Sequence, residues 1–256
     1  MSVSHESDIA YSEKQVELPN GYWDESSKKL LKAVTIREMS GAEEDMLLSV
    51  KNAKAGNTLN KVLDSVCILN DKPGVKFIDS LLMVDQLFLL INARIITYGN
   101  IYKFDIKHTE EMDGCGSTTG VKLELDSLQF SGSNKPETLE ETVELPKSRI
   151  SITFKKNQGK DQAILFKILQ GNSEDKITEL LQFRTKKIVS SDGKELGLDI
   201  IKKLTILDRK FLRQKMNEVE GKAETTLDIE CSNCGEMMKV EMPLEQDFFC
   251  LRDQES

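Results

Sequence analysis

The stretch IECSNCGEMMKVEMP, residues Ile229–Pro243, decides how this chain is read. Cys231 and Cys234 stand two residues apart in a turn closed by Gly235, with strand-like alternation on each side. Thiolates at this spacing can converge on one cation while backbone N–H groups point at sulfur. Glycine suits the place where such a turn visits positive φ. A structural zinc takes four Cys or His donors in a tetrahedron, so a second pair must come from elsewhere.

A distant hairpin offers that pair. FDIKH at Phe104–His108 aligns with LDIEC at Leu227–Cys231, setting Asp105 opposite Asp228, Ile106 opposite Ile229 and His108 opposite Cys231. Cys115-Gly116 falls opposite Cys234-Gly235, and the return strands align VKLE from Val121 with MKVE from Met238. The first turn is the longer, with six residues between His108 and Cys115 against two between Cys231 and Cys234. The expected ligands are Cys231, Cys234, Cys115 and His108, with Cys250 after Phe248-Phe249 as the alternative to His108. Zinc held by four protein donors is structural, contributes folding energy, and leaves no open position for catalysis. Two alternatives stand beside it, a redox pair and an unmetallated turn. Thioredoxin-type pairs open a helix in a βαβ unit, whereas strands flank this one. Cys67 falls on an apolar helical stripe and reads as core; His5 stands in a polar N-terminal stretch.

Bulk properties narrow the function classes. The chain has 256 residues, a formal net charge of −8 and 30% charged residues. That balance argues against a broad basic footprint for duplex nucleic acid and against docking on anionic membranes. Five cysteines would leave an odd thiol in an exported chain, and MSVSHESDIAYSEKQ lacks the basic and apolar regions of a signal peptide. A cytoplasmic protein with reduced thiols is expected. Leu81–Ile96 is the most apolar run, yet Asp85, Gln86, Asn92 and Arg94 interrupt it, so it reads as a buried helix and not a membrane span. GxGxxG, Walker, HExxH and GxSxG patterns are missing, and EEDMLL and ETLEETVE read as solvated acidic surface. No enzyme activity is expected.

Along the chain, residues 1–17 read as a disordered tail and 18–130 as a helical half ending in the first hairpin. Residues 131–146 read as a linker, and 147–256 as an α+β half carrying the CxxC hairpin. Ser40 with Glu43 forms a capping-box pattern. Leu59, Val62, Leu63 and Val66 make a 3.6-residue stripe, and Gly99 closes the helix from Leu81 to Tyr98. The expected fold is α+β, predominantly helical, with two distant β-hairpins that pair as a zinc-ribbon-like unit. Tyr22, Trp23, Phe248 and Phe249 either close the protein's own core or dock a partner.

The ordered landmarks resemble one family. They are LPNGYW, VTIREMSGAEEDMLL, LNKVLDSVC, IDSLLMVDQLFLLINARIITYG, the IKH…GCG hairpin, ELPKSRISITFK with GKDQ, VSSDGKE, and the terminal IECSNCGEMMKVEMPLEQDFF. In this order, from Leu18 to Phe249, they resemble the baseplate hub assembly chaperones of T-even-type contractile-tail phages, a family also found with phage-like contractile injection systems. Members often carry CxxC in both hairpins, and this chain departs from that pattern at His108 and Cys115. The resemblance implies a non-enzymatic assembly factor for the baseplate hub, with hub proteins as partners and no nucleic acid or membrane. It would work in the host cytoplasm or associated with the particle's baseplate. A permanent baseplate component is the alternative, and a zinc-ribbon nucleic-acid-binding regulator the second.

Overall fold

The computed structural model describes residues 10–49, 57–109, 114–244 and 246–249. Alternation builds the first layer. Strand β1 (Glu13–Asp24) turns Val16, Leu18 and Asn20 inward and pairs antiparallel with β2 (Lys29–Arg37); a bulge between Glu17 and Tyr22 absorbs the Pro19-Asn20-Gly21 stretch. Strand β3 (Cys67–Leu69) adds to the other edge of β2. Helices α1 (Gly41–Leu48), α2 (Thr58–Val66) and α3 (Met83–Tyr98) go with this sheet, and Val62, Leu63, Leu89 and Ile91 meet Val34 and Ile36 in one core. The Ser40–Glu43 capping box forms as expected. Glu43 is buried, yet its carboxyl is held down at about 2: burial opposes ionisation, and Arg37 at 2.8 Å with the Ser40 hydrogen bonds outweighs it.

A second antiparallel sheet joins β7 (Glu140–Glu144), β8 (Ser151–Lys155) and β9 (Thr185–Val189). Around it lie α4 (Gln162–Gln170), α5 (Lys176–Arg184), α6 (Ile200–Lys203) and α7 (Ile206–Glu218). Ile152, Phe154 and Ile188 from the sheet pack with Leu181, Leu212 and Met216 from the helices in a core of their own. The seam between the cores is polar. Gly159 N donates to Leu81 O at 3.0 Å, and Asn60 Nδ2 donates to Gly159 O at 2.9 Å. The Gln158 amide donates to Ser80 O at 2.6 Å. Strands β6 (Phe130–Ser131) and β10 (Lys222–Ala223) pair across the same boundary.

The two hairpins are β4–β5 (Ile101–Lys107 and Thr118–Glu124) and β11–β12 (Thr226–Glu230 and Met237–Glu241). Residues 226–249 thereby return to the first core, where helix α8 (Gln246–Phe249) inserts Phe248 and Phe249. Phe248 meets Tyr102 edge-on at 4.9 Å, and Arg94 lies 5.4 Å from its ring centroid. Tyr22 also packs inward, against Phe77. Tyr22, Phe248 and Phe249 therefore serve the protein's own core, while the Trp23 indole donates to Glu25 at an exposed position.

The expectation of a predominantly helical chain is corrected. Roughly 35% of the described residues are helix and 31% strand, with twelve strands in five small sheets. Charged strands were the hidden part. EETVE, part of the stretch read as acidic surface, is β7, with Val143 turned inward between Thr142 and Glu144. Strand β1 begins at Glu13, inside the stretch expected to be tail; residues 1–9, with His5, lie outside the described residues. Among the described residues no helix is long and apolar enough to cross a membrane.

Asp85 of α3 makes one pH prediction. It is buried, accepts from Asn20 N at 2.8 Å through Oδ1, and its other oxygen lacks a partner among the described residues. Burial pushes its carboxyl up to about 6 from 3.8, against the Asn20 and Gly21 hydrogen bonds. A raised folded pKa means stabilisation fully present below the unfolded value near 3.8 and lost as pH rises through about 6. A shift of this size corresponds to about 3 kcal/mol. Asp85→Asn is expected to gain on wild type by that order between pH 4 and pH 7 in urea unfolding; parallel pH profiles would refute the assignment.

Candidate metal centre

Each hairpin delivers one donor at the end of its first strand and one before its second. His108 follows β4 and Cys115 precedes β5; Cys231 follows β11 and Cys234 precedes β12. The two turns close with the same hydrogen bonds. His108 N donates to Ser117 O and Gly116 N to His108 O, as Cys231 N donates to Glu236 O and Gly235 N to Cys231 O. Gly116 and Gly235 adopt φ of 78° and 74°, a conformation in which a side chain would be strained. The four extra residues of the longer first turn fall before Cys115, so its knuckle geometry survives. Cys115-Gly116 stays equivalent to Cys234-Gly235.

The register corrects the return-strand alignment. Val121 pairs with Phe104, and Val240 pairs with Leu227, so Val121 corresponds to Val240 and not to Met238. Similar residue types had drawn the alignment two residues out of place.

The structure brings His108, Cys115, Cys231 and Cys234 together, with one ligand atom from each, all within 4.8 Å of one another. Cys115 Sγ lies 3.7 Å from Cys231 Sγ and 3.8 Å from His108 Nδ1, and Cys234 Sγ lies 3.4 Å from His108 Nδ1. Zinc–ligand lengths of about 2.3 Å to sulfur and about 2.0–2.1 Å to nitrogen give tetrahedral edges of about 3.8 Å for S–S and about 3.5–3.6 Å for S–N. These three spacings are close to the edges of such a sphere, and with all four donors within 4.8 Å of one another the cluster could hold a metal ion. His108 and Cys231 are buried; Cys115 and Cys234 are exposed.

The surroundings favour anionic sulfur. The Ser117 hydroxyl lies 2.9 Å from Cys115 Sγ and 3.4 Å from Cys231 Sγ, and the Asn233 amide approaches Cys115 at 3.5 Å. Ser117 first, then Asn233, brings the Cys115 thiol down to about 6. Ser117 with the backbone N–H groups of Cys234 and Asn233 brings Cys231 to about 5. Hydrogen bonds to Cys115 and Cys231 raise His108. Cys234 goes the other way: a Glu236 backbone hydrogen bond favours its thiolate, but burial and the neighbouring Cys231 and Cys115 sulfurs outweigh that. A third thiolate beside two others is the charge that a divalent cation would neutralise.

Further ties bind the turns. Ser232 N donates to Thr119 Oγ1 at 3.1 Å, and the Tyr102 hydroxyl donates to Pro243 O at 3.1 Å. Ser117, Thr119 and Asn233 were not singled out from sequence; their adjacency to a candidate ligand was the available signal. Cys67 is a buried thiol raised by desolvation, at the end of α2 and apart from the cluster. Cys250 lies outside the described residues.

The family description "T4 bacteriophage base plate protein" matches residues 15–250, which takes in both hairpins, the cluster and both cores. No curated protein and no solved structure matches the chain significantly. With the match running over nearly its whole length, the chain belongs to the T4 bacteriophage base plate protein family.

Proposed function

We propose that this protein is a non-enzymatic assembly factor for the baseplate hub of a contractile tail, acting through protein–protein contacts. The family match over residues 15–250 carries the reading, since it already sets the chain among phage baseplate proteins. The cluster adds a physical argument. Four protein donors would close a zinc sphere, so the metal would staple two hairpins whose nearest donors, Cys115 and Cys231, stand 116 residues apart, and would hold no substrate. In this reading the zinc shapes a surface and the surface works by binding hub proteins, in the host cytoplasm or on the particle.

A permanent baseplate component is the second reading, favoured by the wording of the family description itself. Quantitative mass spectrometry of purified particles separates the two. The assembly-factor reading expects the chain in infected or expressing cells and far below stoichiometry in finished particles; a stoichiometric copy number would overturn it.

A further inference from the structure

The charge of this protein is unevenly spread. The chain carries −8 overall, yet residues 200–215 hold Lys202, Lys203, Arg209, Lys210, Arg213 and Lys215 against Asp208 alone. Asp208 is buried and occupied: its oxygens accept from Lys147 N at 2.9 Å and Ser148 N at 3.1 Å. The α6–α7 segment is thus a basic island on an acidic molecule. Lys202 and Lys203 have exposed partners in Asp175 and Asp199, whereas Lys210 and Arg213 make no ion pair among the described residues.

Apolar exposure concentrates beside it. Ile206 (84% exposed) and Leu207 (63%) are the two most exposed large hydrophobic residues described, and Leu198 stands nearby in sequence. Helix α4, QAILFKILQ, buries no residue fully despite its apolar composition, and Ile164, Phe166 and Leu169 face solvent. Between α4, α5 and α7 lies a cavity of about 330 Å³, with Leu165, Ile177, Leu180 and Met216 as apolar lining and Arg213 among its walls. Along α7, Ile206, Lys210, Arg213 and Asn217 recur at helical spacing, so the exposed isoleucine and the two free cations share a stripe with the wall of that cavity. Monomers seldom leave apolar exposure gathered around a cleft unless something covers it.

We infer that the groove between α5 and α7 is the docking site for an acidic, amphipathic segment of another baseplate protein. Its apolar side would fill the cleft at Leu165, Ile177 and Leu180, and its carboxylates would meet Lys210 and Arg213. The charge asymmetry selects the occupant. A second copy of this chain carries the same net charge of −8 and would be repelled on approach, whereas an acidic segment matches the basic face of α6–α7. The inference rests on the assembly-factor reading and adds the surface and the partner chemistry to it.

The test co-expresses the full chain with each baseplate subunit of its own gene cluster and measures capture for wild type, Ile206→Asp, Arg213→Glu and the control Ile68→Asp, an exposed residue of β3. Ile206 and Arg213 lie at the surface, and an acid in the first turn of α7 suits the helix, so both variants should fold; melting curves and metal content check this. The inference expects one subunit captured by wild type and control, capture at least about tenfold weaker for both groove variants, and weakening as salt rises from about 50 mM to about 500 mM. Capture by wild type that either groove variant retains would overturn the groove while leaving the assembly-factor reading intact. Capture of no subunit by wild type would overturn both. Retention of a duplex DNA probe through the same side chains would replace the acidic protein partner with nucleic acid.

Discussion

Cys231→Ser is expected to release the metal and to lower the unfolding free energy by about 3–5 kcal/mol, with Cys234→Ser close behind. The argument runs through the turns. Each hairpin is a two-stranded sheet, and isolated two-stranded hairpins are marginal in water. What ties them together is the donor cluster, the Thr119–Ser232 contact and the tyrosine bond to Pro243. Cys231 is the buried thiolate among them, and serine is a poor zinc ligand. Structural zinc in small fingers contributes apparent energies of about 10–16 kcal/mol. Less is lost here because Phe248 and Phe249 still anchor the C-terminal segment in the first core. Proteolysis should begin in the two hairpins, leaving the β7–β8–β9 unit intact for longer. Unchanged melting in both variants would refute a stapling role.

Gly159→Ala is expected to cost about 3–4 kcal/mol, an unusual figure for adding one methyl group. Its backbone is the seam between the cores, bonded to Leu81 O and to the Asn60 side chain. A Cβ at this position would stand 2.7 Å from the backbone oxygen of Ile78 and collide with the Gln86 amide. Gln86 cannot give way freely, because that amide donates to Ile78 O at 2.7 Å in a buried setting. The insertion therefore adds overpacking to a lost buried hydrogen bond. Guanidinium unfolding would measure it; a loss below about 1 kcal/mol would mean that the seam is soft.

These two positions show what could be read from the sequence. The donor cluster was legible because metal-ligand chemistry imposes spacing: two cysteines around a glycine-closed turn, and a second turn with a candidate donor at each corresponding place. Helices α1, α2 and α3 were legible through the Ser40–Glu43 cap, the Val62–Val66 stripe and the closing Gly99. Strands β1 and β7 were not, because their outward faces carry the charges that also mark loops, and few apolar residues point inward: Val16 and Leu18 from β1, Val143 from β7. The seam at Gly159 was hidden for a different reason. GKDQ has the composition of a turn, and only the approach of Ile78 and Gln86, some 70 to 80 residues earlier, makes its glycine indispensable. The same holds for Ser117, whose hydroxyl reaches two sulfurs only once the hairpins meet. Family landmarks become physical roles: Arg37 holds the capping glutamate Glu43, and Arg94 joins the end of α3 to Tyr102 and Phe248.

The most direct test is elemental analysis with X-ray absorption at the zinc edge on the full chain, purified without added metal. The account predicts about one zinc per chain in a shell of three sulfurs and one nitrogen, at about 2.3 Å and about 2.0 Å. A folded protein without metal would contradict the staple, and a shell of four sulfurs would remove His108 from it.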